Sequence, residues 1–187
     1  MGHSMNIRPT PLAGVVVVET TPFADHRGAF ERWFCDRELA TVLGARRIVQ
    51  INHSRTGAVG AVRGMHYQRP PHAEMKFVRC LRGRVWDVAL DLRRDSATFL
   101  RWHAEELSPE RAIMLVIPEG CAHGFQVLEA DSELLYLHTA HYEQSAEGGV
   151  RHDDPAFGIS WPLEAVDLSE RDRNHPLLDH AFPGIGA

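Results

Sequence analysis

The segment Arg63-Gly-Met-His66-Tyr-Gln68 closes a predicted strand and carries two side chains that could do chemistry. An imidazole titrates near neutral pH, so His66 could take up and return a proton. A guanidinium binds phosphate or a developing oxyanion, which gives Arg63 a candidate role beside it. Regular strand alternation would point these two side chains to opposite faces, but a bend at Gly64 would bring both into one cavity. On this segment alone, a structural histidine is an equally good interpretation.

A second cluster, Pro118-x-Gly120-x-x-His123, resembles the second signature of the cupin barrel, in which the histidine usually binds a metal. In the companion signature, which ends here at Gly83, Lys76 stands where a glutamate ligand is expected. Further back, His72 fills one histidine position and Pro70 replaces the other. Divalent metals need lone-pair donors and are repelled by an ammonium group. The pattern therefore predicts a barrel with no metal site and a cationic cavity instead.

Most of the twelve histidines lack such a context. Surface or structural roles are predicted for His26, His53, His103, His138, His141, His152, His175 and His180. The three cysteines (Cys35, Cys80 and Cys121) are scattered and form no CxxC pair. They are therefore predicted to be free buried thiols rather than a disulfide framework or zinc ligands.

The chain between these clusters is dominated by short β-rich stretches that are punctuated by Gly, Pro, Asn and Asp. The predicted strands are Val15–Glu19, Ala29–Trp33, Ile48–Ile51, Ala61–His66, Lys76–Arg82, Arg84–Leu92, Arg101–Leu107, Ala112–Ile117, Ala122–Val127 and Glu133–Thr139. Arg82-Gly83-Arg84 predicts a tight hairpin. Many strands with few helices favour a β-sandwich or barrel.

Only two segments predict helices. Asp36–Leu43 begins at a capping aspartate and ends before Gly44. Ser169–Arg173 begins at a capping serine and has Asp172 in its first turn. The tail after Trp161 is expected to wrap the barrel rather than to form a second domain.

Composition excludes several classes of protein. A net charge of −5 argues against a protein that binds the nucleic-acid backbone. No apolar run approaches the roughly 20 residues of a membrane span, so no membrane partner is predicted. Residues 1–4 have the character of an expression-tag remnant, and residues 5–187 are expected to form a single domain.

Spaced motifs along nearly the whole chain match one family in order. They are Asp25-x-Arg27-Gly28, Gln50-Ile-Asn52-His-Ser54, Arg63-Gly-Met-His66-Tyr-Gln68, Lys76-Phe-Val-Arg79, Gly83, Asp87-Val-Ala-Leu-Asp91-Leu-Arg93, Pro118-x-Gly-x-x-His123-Gly-Phe125, Tyr136, Tyr142, Asp154-Pro155, Ile159-x-Trp161-Pro162 and Ser169-x-x-Asp172. Together they resemble the dTDP-4-dehydrorhamnose 3,5-epimerase family. This resemblance implies an all-β, cupin-type double-stranded β-helix, a jelly-roll barrel with a few short helices, and a reaction without a cofactor. It also implies a homodimer and a cytoplasmic setting in deoxysugar biosynthesis.

The implied substrate is a nucleotide-linked 4-keto-6-deoxyhexose, whose ketone makes the C3 and C5 protons acidic. By resemblance, His66 is the base, and Asp172 orients its ring and stabilises the imidazolium. Tyr136 is the acid on the opposite face of the sugar, and Lys76 lies beside the enolate oxygen. Without the resemblance, Asp172 would be interpreted as a partner of the helix dipole, Tyr136 as a core or rim residue, and Lys76 as a salt-bridge lysine.

The resemblance also implies a set of substrate-binding residues. Contacts to the nucleotide, the phosphates and the sugar are expected from Arg27, Gln50, Asn52, Arg63, His123, Tyr142, Glu147 and Arg171. The chain departs from the family pattern at Arg32, where a glutamate is usual, and at His152-Asp153, which replaces Trp-Asn. These departures lie on the substrate side, so they bear on specificity rather than on the acid, base or lysine.

Two other functions stay open at this point. One is a metal-dependent cupin enzyme, either a dioxygenase or a sugar isomerase. The other is a sugar-nucleotide binding module without catalytic activity. Metal analysis would identify the first, and absence of solvent deuterium exchange would identify the second.

Overall fold

The computed structural model describes residues 5–186, so the predicted tag remnant at residues 1–4 lies outside the described part. The strands, in chain order, are β1 (Asn6–Pro9), β2 (Val16–Glu19), β3 (Phe23–Asp25), β4 (Gly28–Phe30), β5 (Gln50–Thr56), β6 (Val62–Gln68), β7 (Lys76–Arg82), β8 (Val85–Asp91), β9 (Trp102–Leu107), β10 (Ile113–Ile117), β11 (Cys121–Val127), β12 (Ser132–His138) and β13 (Glu147–Gly149). The helices are α1 (Ala40–Leu43) and α2 (Glu170–Asn174), and residues Gln144–Ala146 form a 3₁₀ turn. Among the described residues, no helix has the length and apolar character needed to cross a membrane.

Two antiparallel sheets make up most of the molecule. One has the strand order β1-β2-β10-β7-β12-β5 and the other β13-β6-β11-β8-β9, while β3 and β4 form a separate hairpin. Consecutive strands repeatedly switch between the two sheets, which is typical of a jelly roll. The predicted all-β barrel with a few short helices is confirmed.

The central hydrophobic core lies between the two sheets. Val85 and Ala89 of β8 pack there with Leu115 of the facing sheet, whereas Val88 and Leu90 belong to a cluster on the outer face. This alternation follows from the period of two in a strand. Burial of each such aliphatic side chain contributes roughly 1.5–3 kcal/mol. The alternation also means that polar residues on inward positions must face a cavity or a buried partner.

Both outer faces are covered by chain segments. Leu39 and Leu43, at α1, pack on Phe77 of the first sheet. Trp161 and Phe182, from the C-terminal part, pack on the outer face of the second sheet. The tail therefore wraps the barrel, as predicted, and carries α2 to the edge of β6.

Nine of the ten predicted strands are observed, with Lys76–Arg82 at its predicted bounds. The tenth, Ala29–Trp33, ends at Phe30. Glu31 leaves the ladder because its carboxylate accepts a hydrogen bond from the buried Arg79 guanidinium at 2.5 Å. Trp33 then lies 5.0 Å from the same guanidinium. A tertiary ion pair has overridden the local β propensity.

Two local predictions are wrong in detail. The predicted helix Asp36–Leu43 is helical only over Ala40–Leu43 and has no side-chain cap, because the Asp36 carboxylate accepts instead from the adjacent Arg37 N–H at 2.8 Å. The predicted hairpin at Arg82-Gly83-Arg84 is a tight turn, but it connects the two sheets. Ser132 redirects the chain there, since its hydroxyl bonds both the N–H and the carbonyl of Arg84.

Strands β6 and β11 cross in close contact at two glycines. A Cβ on Gly64 would lie 2.5 Å from the Gly124 Cα, and a Cβ on Gly124 would lie 2.6 Å from the Met65 Sδ. The pairing is irregular here, because His123 faces His66 whereas Phe125 faces Arg63. The step from His123 to Phe125 is two residues, whereas the step between their partners His66 and Arg63 is three, so β6 has a β-bulge here. The bulge places Arg63 and His66 on one cavity, as the predicted bend required.

Replacement of Gly124 by alanine tests this crossing. The new methyl group has no space against Met65 and the Arg63 carbonyl. We expect a loss of about 1–3 kcal/mol in the free energy of unfolding, measured by urea denaturation. Gly186→Ala is the control, since a Cβ there meets nothing within 4 Å. Equal midpoints for Gly124→Ala and wild type would show that the strands are not in contact at this point.

Candidate active site

A cavity of about 400 Å³ lies between β6, the end of β5 and the segment that leads into α2. Its lining includes Arg63 and His66 from β6 and Arg171 and Asp172 from α2. A larger cavity of about 660 Å³ is lined mainly by loops and contains none of the predicted site residues. The candidate site is therefore the smaller cavity, because it contains the predicted site residues and the larger one does not.

His66 and Asp172 form a direct pair in this cavity. The His66 Nε2 lies 2.7 Å from Asp172 Oδ1, with the imidazole 25% exposed and the carboxylate 3% exposed. Because a carboxylate only accepts, Nε2 carries a proton in this bond. The pair therefore fixes the orientation of the ring and leaves Nδ1 as the nitrogen that can exchange a proton with a substrate.

Three groups stabilise the charge on Asp172. Burial opposes its ionisation, but the hydrogen bond and positive charge of His66, the Gly64 N–H and the charge of Arg171 together lower its pKa to about 2. The Gly64 N–H donates to Oδ2 at 3.1 Å. The backbone N–H of Asp172 donates to the Ser169 hydroxyl, so Ser169 caps α2 as predicted. Asp172 is thus an anion in a fixed orientation.

Another histidine, His175, also lies near Asp172, with its Nε2 3.8 Å from Oδ1. Ligand atoms of His66, Asp172 and His175 all lie within 4.8 Å of one another, a spacing that a metal ion could use. However, the Arg171 guanidinium lies 3.1 Å from His66 Nε2 and 3.5 Å from Asp172 Oδ1. A cation already occupies the surroundings of these atoms, which suits proton transfer beside an anion better than divalent metal binding.

The side chains at positions that bind metal in other cupins are also paired with carboxyl groups. Lys76 Nζ lies 3.1 Å from Glu74 Oε1, and His123 Nε2 lies 2.7 Å from Asp87 Oδ1. His72 is exposed on the surface. An ammonium in place of a carboxylate ligand does not fit a divalent ion.

Tyr136 lies on an inward position of β12. Its hydroxyl is 2.8 Å from the Ser54 hydroxyl, and its ring meets His123 edge-on at 6.1 Å between centroids. His123 is in turn the cross-strand neighbour of His66. Burial raises the pKa of Tyr136 above its ordinary value, despite the hydrogen bond between its hydroxyl and that of Ser54. The phenol is therefore protonated, and His123 is a neighbour of both Tyr136 and His66.

Asp87 is a buried carboxylate that sequence reasoning noted only as part of a motif. Burial raises its pKa, although the charge and hydrogen bond of His123 and the charge of Lys76 act against this. Its Oδ2 is buried without a hydrogen-bond partner among the described residues. The position of Asp87 between the inward-facing Val85 and Ala89 was the signal that could have identified it.

Several predicted binding residues are connected to one another by hydrogen bonds, and the series ends at Arg171. The Tyr142 N–H donates to the Gln50 side chain at 3.0 Å, and the Gln50 amide donates to Asn52 at 3.2 Å. Glu147 accepts from the Tyr142 hydroxyl at 3.1 Å and from Arg171 at 2.7 Å. Through Arg171, this series reaches His66.

Arg27 is not brought to this site within the chain. It lies in the turn of the β3–β4 hairpin, where its exposed guanidinium pairs with Asp25 at 2.6 Å. The segment after the hairpin bonds Arg79 through Glu31, and Arg79 points to the outer face of its sheet. The usual motif glutamate is replaced by Arg32, which pairs with Glu38 at 2.5 Å.

Two further residues near the site were missed. Ser54 was quoted only as part of a motif, and His138 was predicted to be a surface or structural residue. His138 is buried and stacks on Tyr136 with ring centroids 6.1 Å apart. Both lie two positions from a predicted site residue on the same strand, so the period of two was the signal available for them.

The sequence model of dTDP-4-dehydrorhamnose 3,5-epimerase matches residues 9–180 of this chain. The epimerase of that name from Salmonella typhimurium strain LT2 is 40% identical over 180 residues, which cover 95% of this chain and 98% of that protein. The chain belongs to the dTDP-4-dehydrorhamnose 3,5-epimerase family. The family predicted from the motifs is thereby confirmed, together with the enzyme class.

Solved structures of this epimerase family have the same fold. The crystal structure of dTDP-4-dehydrorhamnose 3,5-epimerase from Elizabethkingia anophelis has a TM-score of 0.89 at 36% identity and covers 96% of this chain and 100% of its own. The dTDP-6-deoxy-D-glucose-3,5-epimerase from Legionella pneumophila, solved with dTDP-4-keto-L-rhamnose, has a TM-score of 0.87 at 38% identity and covers 91% of each chain. The fold of this epimerase is therefore that of a family with known nucleotide-sugar complexes.

The charge on Asp172 predicts a pH dependence of stability. Its pKa of about 2 in the folded chain is below the ordinary 3.8, so the pair stabilises the fold above pH 3.8 and loses this contribution as the pH falls through about 2. We expect Asp172→Asn to lose about 2 kcal/mol at neutral pH, with the difference from wild type shrinking across that window. Urea unfolding at a series of pH values measures this. The exposed Asp95, changed to Asn, is the control, and a pH-independent difference would contradict the assignment.

Proposed function

We propose that this epimerase inverts C3, C5 or both in a dTDP-linked 4-keto-6-deoxyhexose, a step of deoxysugar biosynthesis. The observation that carries the proposal is the His66–Asp172 pair, which faces the cavity and holds a buried carboxylate against the imidazole. Family membership supplies the class of substrate. The residue roles below rest on the geometry of the pair and its surroundings.

His66 is the base in this proposal. The C4 ketone acidifies the neighbouring C–H bonds, and the free Nδ1 takes the proton while the electron pair delocalises onto the ketone oxygen. Asp172 stabilises the imidazolium that forms. The ammonium of Lys76 and the guanidinium of Arg63 supply positive charge for the enolate oxygen.

Tyr136 is the acid that completes the inversion. The enolate carbon receives the phenolic proton on the face opposite to the one that His66 deprotonated. A raised pKa keeps this proton on the oxygen until a strongly basic carbon is present, and Ser54 holds the hydroxyl in place. Removal and return of the proton on opposite faces invert the stereocentre.

Substrate binding is assigned to the two sides of the cavity. His123 and Arg63 face the sugar, whereas Gln50, Asn52 and Tyr142 line the edge assigned to the nucleotide. Glu147 and Arg171 connect this edge with the basic histidine. Arg171 is an exposed cation beside the cavity and suits a diphosphate.

A homodimer would supply the one predicted contact that the chain does not bring to its own site. Arg27 stands on a hairpin whose Phe23 and Phe30 are 54% and 65% exposed. We propose that this hairpin reaches the cavity of a partner subunit, with residues 5–187 acting as one domain. The proposed setting is the cytoplasm.

The two other functions considered from the sequence are not favoured. A metal-dependent cupin enzyme would need ligands where Lys76 and its carboxylate partner stand. A non-catalytic binding module would have no use for an ionised carboxylate paired with a cavity-facing imidazole.

His66→Ala tests the base. The protein is incubated with dTDP-4-keto-6-deoxyglucose in heavy water, and deuterium at C3 and C5 is followed by proton NMR. We expect the exchange rate to fall by at least about a hundredfold, because general base catalysis is lost. His53→Ala is the control, since His53 is exposed and pairs with Glu133. Full exchange in His66→Ala would assign the base elsewhere.

Tyr136→Phe separates proton removal from inversion. The base is intact in this variant, so deuterium should still enter C3 or C5 at a reduced rate. Inverted product should fall by about a hundredfold or more, because the proton donor on the opposite face is missing. NMR coupling constants distinguish inverted sugar from substrate that only exchanged. Equal losses of exchange and inversion would contradict the assignment of Tyr136 as the proton donor on the opposite face.

A further inference from the structure

Lys76 is the only lysine in the sequence, although the chain has twenty basic residues. Its side chain is 12% exposed, and its charge acts on the buried Asp87. Lysine and arginine are not interchangeable, because an ammonium is a compact charge with three donors on a flexible stem. A flexible stem needs an anchor if the charge is to act at one atom.

The anchor is a buried carboxylate. Glu74 is 8% exposed, and its two oxygens lie 3.1 Å from Lys76 Nζ and 2.8 Å from His138 Nδ1. Burial opposes ionisation of Glu74, but the hydrogen bond from His138 and the charge of Lys76 lower its pKa below the ordinary value. Asp87, the other carboxylate near Lys76, has a raised pKa and bonds His123. Glu74 is therefore the counter-ion of the ammonium.

The hydrogen bonds beyond Glu74 have a defined direction. The Tyr142 N–H fixes the Gln50 oxygen, so the Gln50 amide donates to the Asn52 oxygen. The Asn52 amide then points to His138 Nε2 at 3.3 Å and donates to it. His138 therefore accepts at Nε2 and donates from Nδ1 to Glu74. One chain of oriented bonds runs from the Tyr142 loop to the ammonium.

We propose that Glu74 and His138 are a positioning pair that holds the Lys76 ammonium at the reacting end of the substrate and ties it to the Gln50–Asn52 edge of the cavity. The role of Lys76 at the reacting end rests on the proposed function, whereas the pair itself does not. Contacts made at the Gln50–Asn52 edge also order the charge that stabilises the enolate. Binding energy from a remote part of the substrate is thereby used at the reacting carbon.

The single lysine allows a direct test that needs no activity. In protein labelled with ¹⁵N only at lysine, the side-chain ammonium signal comes from Lys76 alone. We expect slow exchange with water and a sharp signal in wild type, and a broadened or lost signal in Glu74→Gln. Glu105→Gln is the matched control, because Glu105 is similarly buried and bonds His103 and Arg8 away from this cavity. An unchanged Lys76 signal in Glu74→Gln would overturn the proposal.

Kinetics then show whether the pair acts through Lys76. Glu74→Gln should lower kcat by about tenfold or more while KM changes less than about threefold, since the loss is in stabilisation of the enolate. In a Lys76→Met background the same substitution should have no further effect on kcat. An equal additional loss in that background would assign Glu74 a merely structural role.

The tautomer of His138 gives a test in the unmutated protein. ¹⁵N NMR of labelled histidines, assigned by comparison with His138→Phe, should show Nδ1 protonated and Nε2 unprotonated. His138→Phe keeps a ring against Tyr136 but removes both hydrogen bonds, so KM for the nucleotide sugar should rise several-fold. A proton on Nε2 of His138 would overturn the proposed chain of bonds even if Glu74→Gln failed to fold.

These outcomes separate the two proposals. If the wild type does not exchange deuterium at C3 or C5, the proposed function is refuted. If Glu74→Gln still loses the Lys76 signal in that case, the positioning pair stands. An active wild type with unchanged Lys76 signal and kcat in Glu74→Gln would refute the pair and leave the function.

Discussion

A carboxylate that is almost fully buried must receive hydrogen bonds or lose its charge, and this requirement on Asp172 organises the site. Its two donors from the barrel, Gly64 N–H and His66 Nε2, become neighbours only because β6 bulges where it crosses β11. Asp172 itself comes from a segment 106 positions after His66. One set of bonds therefore fixes the tail on the barrel and the orientation of the imidazole together.

The same low-dielectric interior shifts acidic groups in opposite directions. Asp172 and Glu74 each face a cationic or donating partner, and their pKa values fall. Tyr136 and Asp87 are less well compensated for burial, and their pKa values rise. Groups with separated pKa values are what acid–base chemistry at constant pH requires. The sequence contains the titratable groups, but only their partners set the direction of each shift.

Prediction from sequence succeeded where structure is governed by alternation along a single strand. Strand Lys76–Arg82 was predicted at its bounds, because an apolar face with a period of two is a local pattern. It failed where a distant group intervenes. Glu31 leaves its strand to bond Arg79, and Ser132 directs the turn at Gly83 from one sheet to the other.

For the site, the sequence by itself determined the family and the barrel, because residue types at fixed spacings carry the resemblance. The resemblance in turn implies which residues are the candidate base, acid and lysine. Tertiary structure decided which groups meet. It placed Glu74 and His138 beside Lys76, and it left Arg27 on an exposed hairpin. The physical reason is that a hydrogen bond or ion pair acts over about 3 Å in space, whereas a sequence pattern records only the distance along the chain.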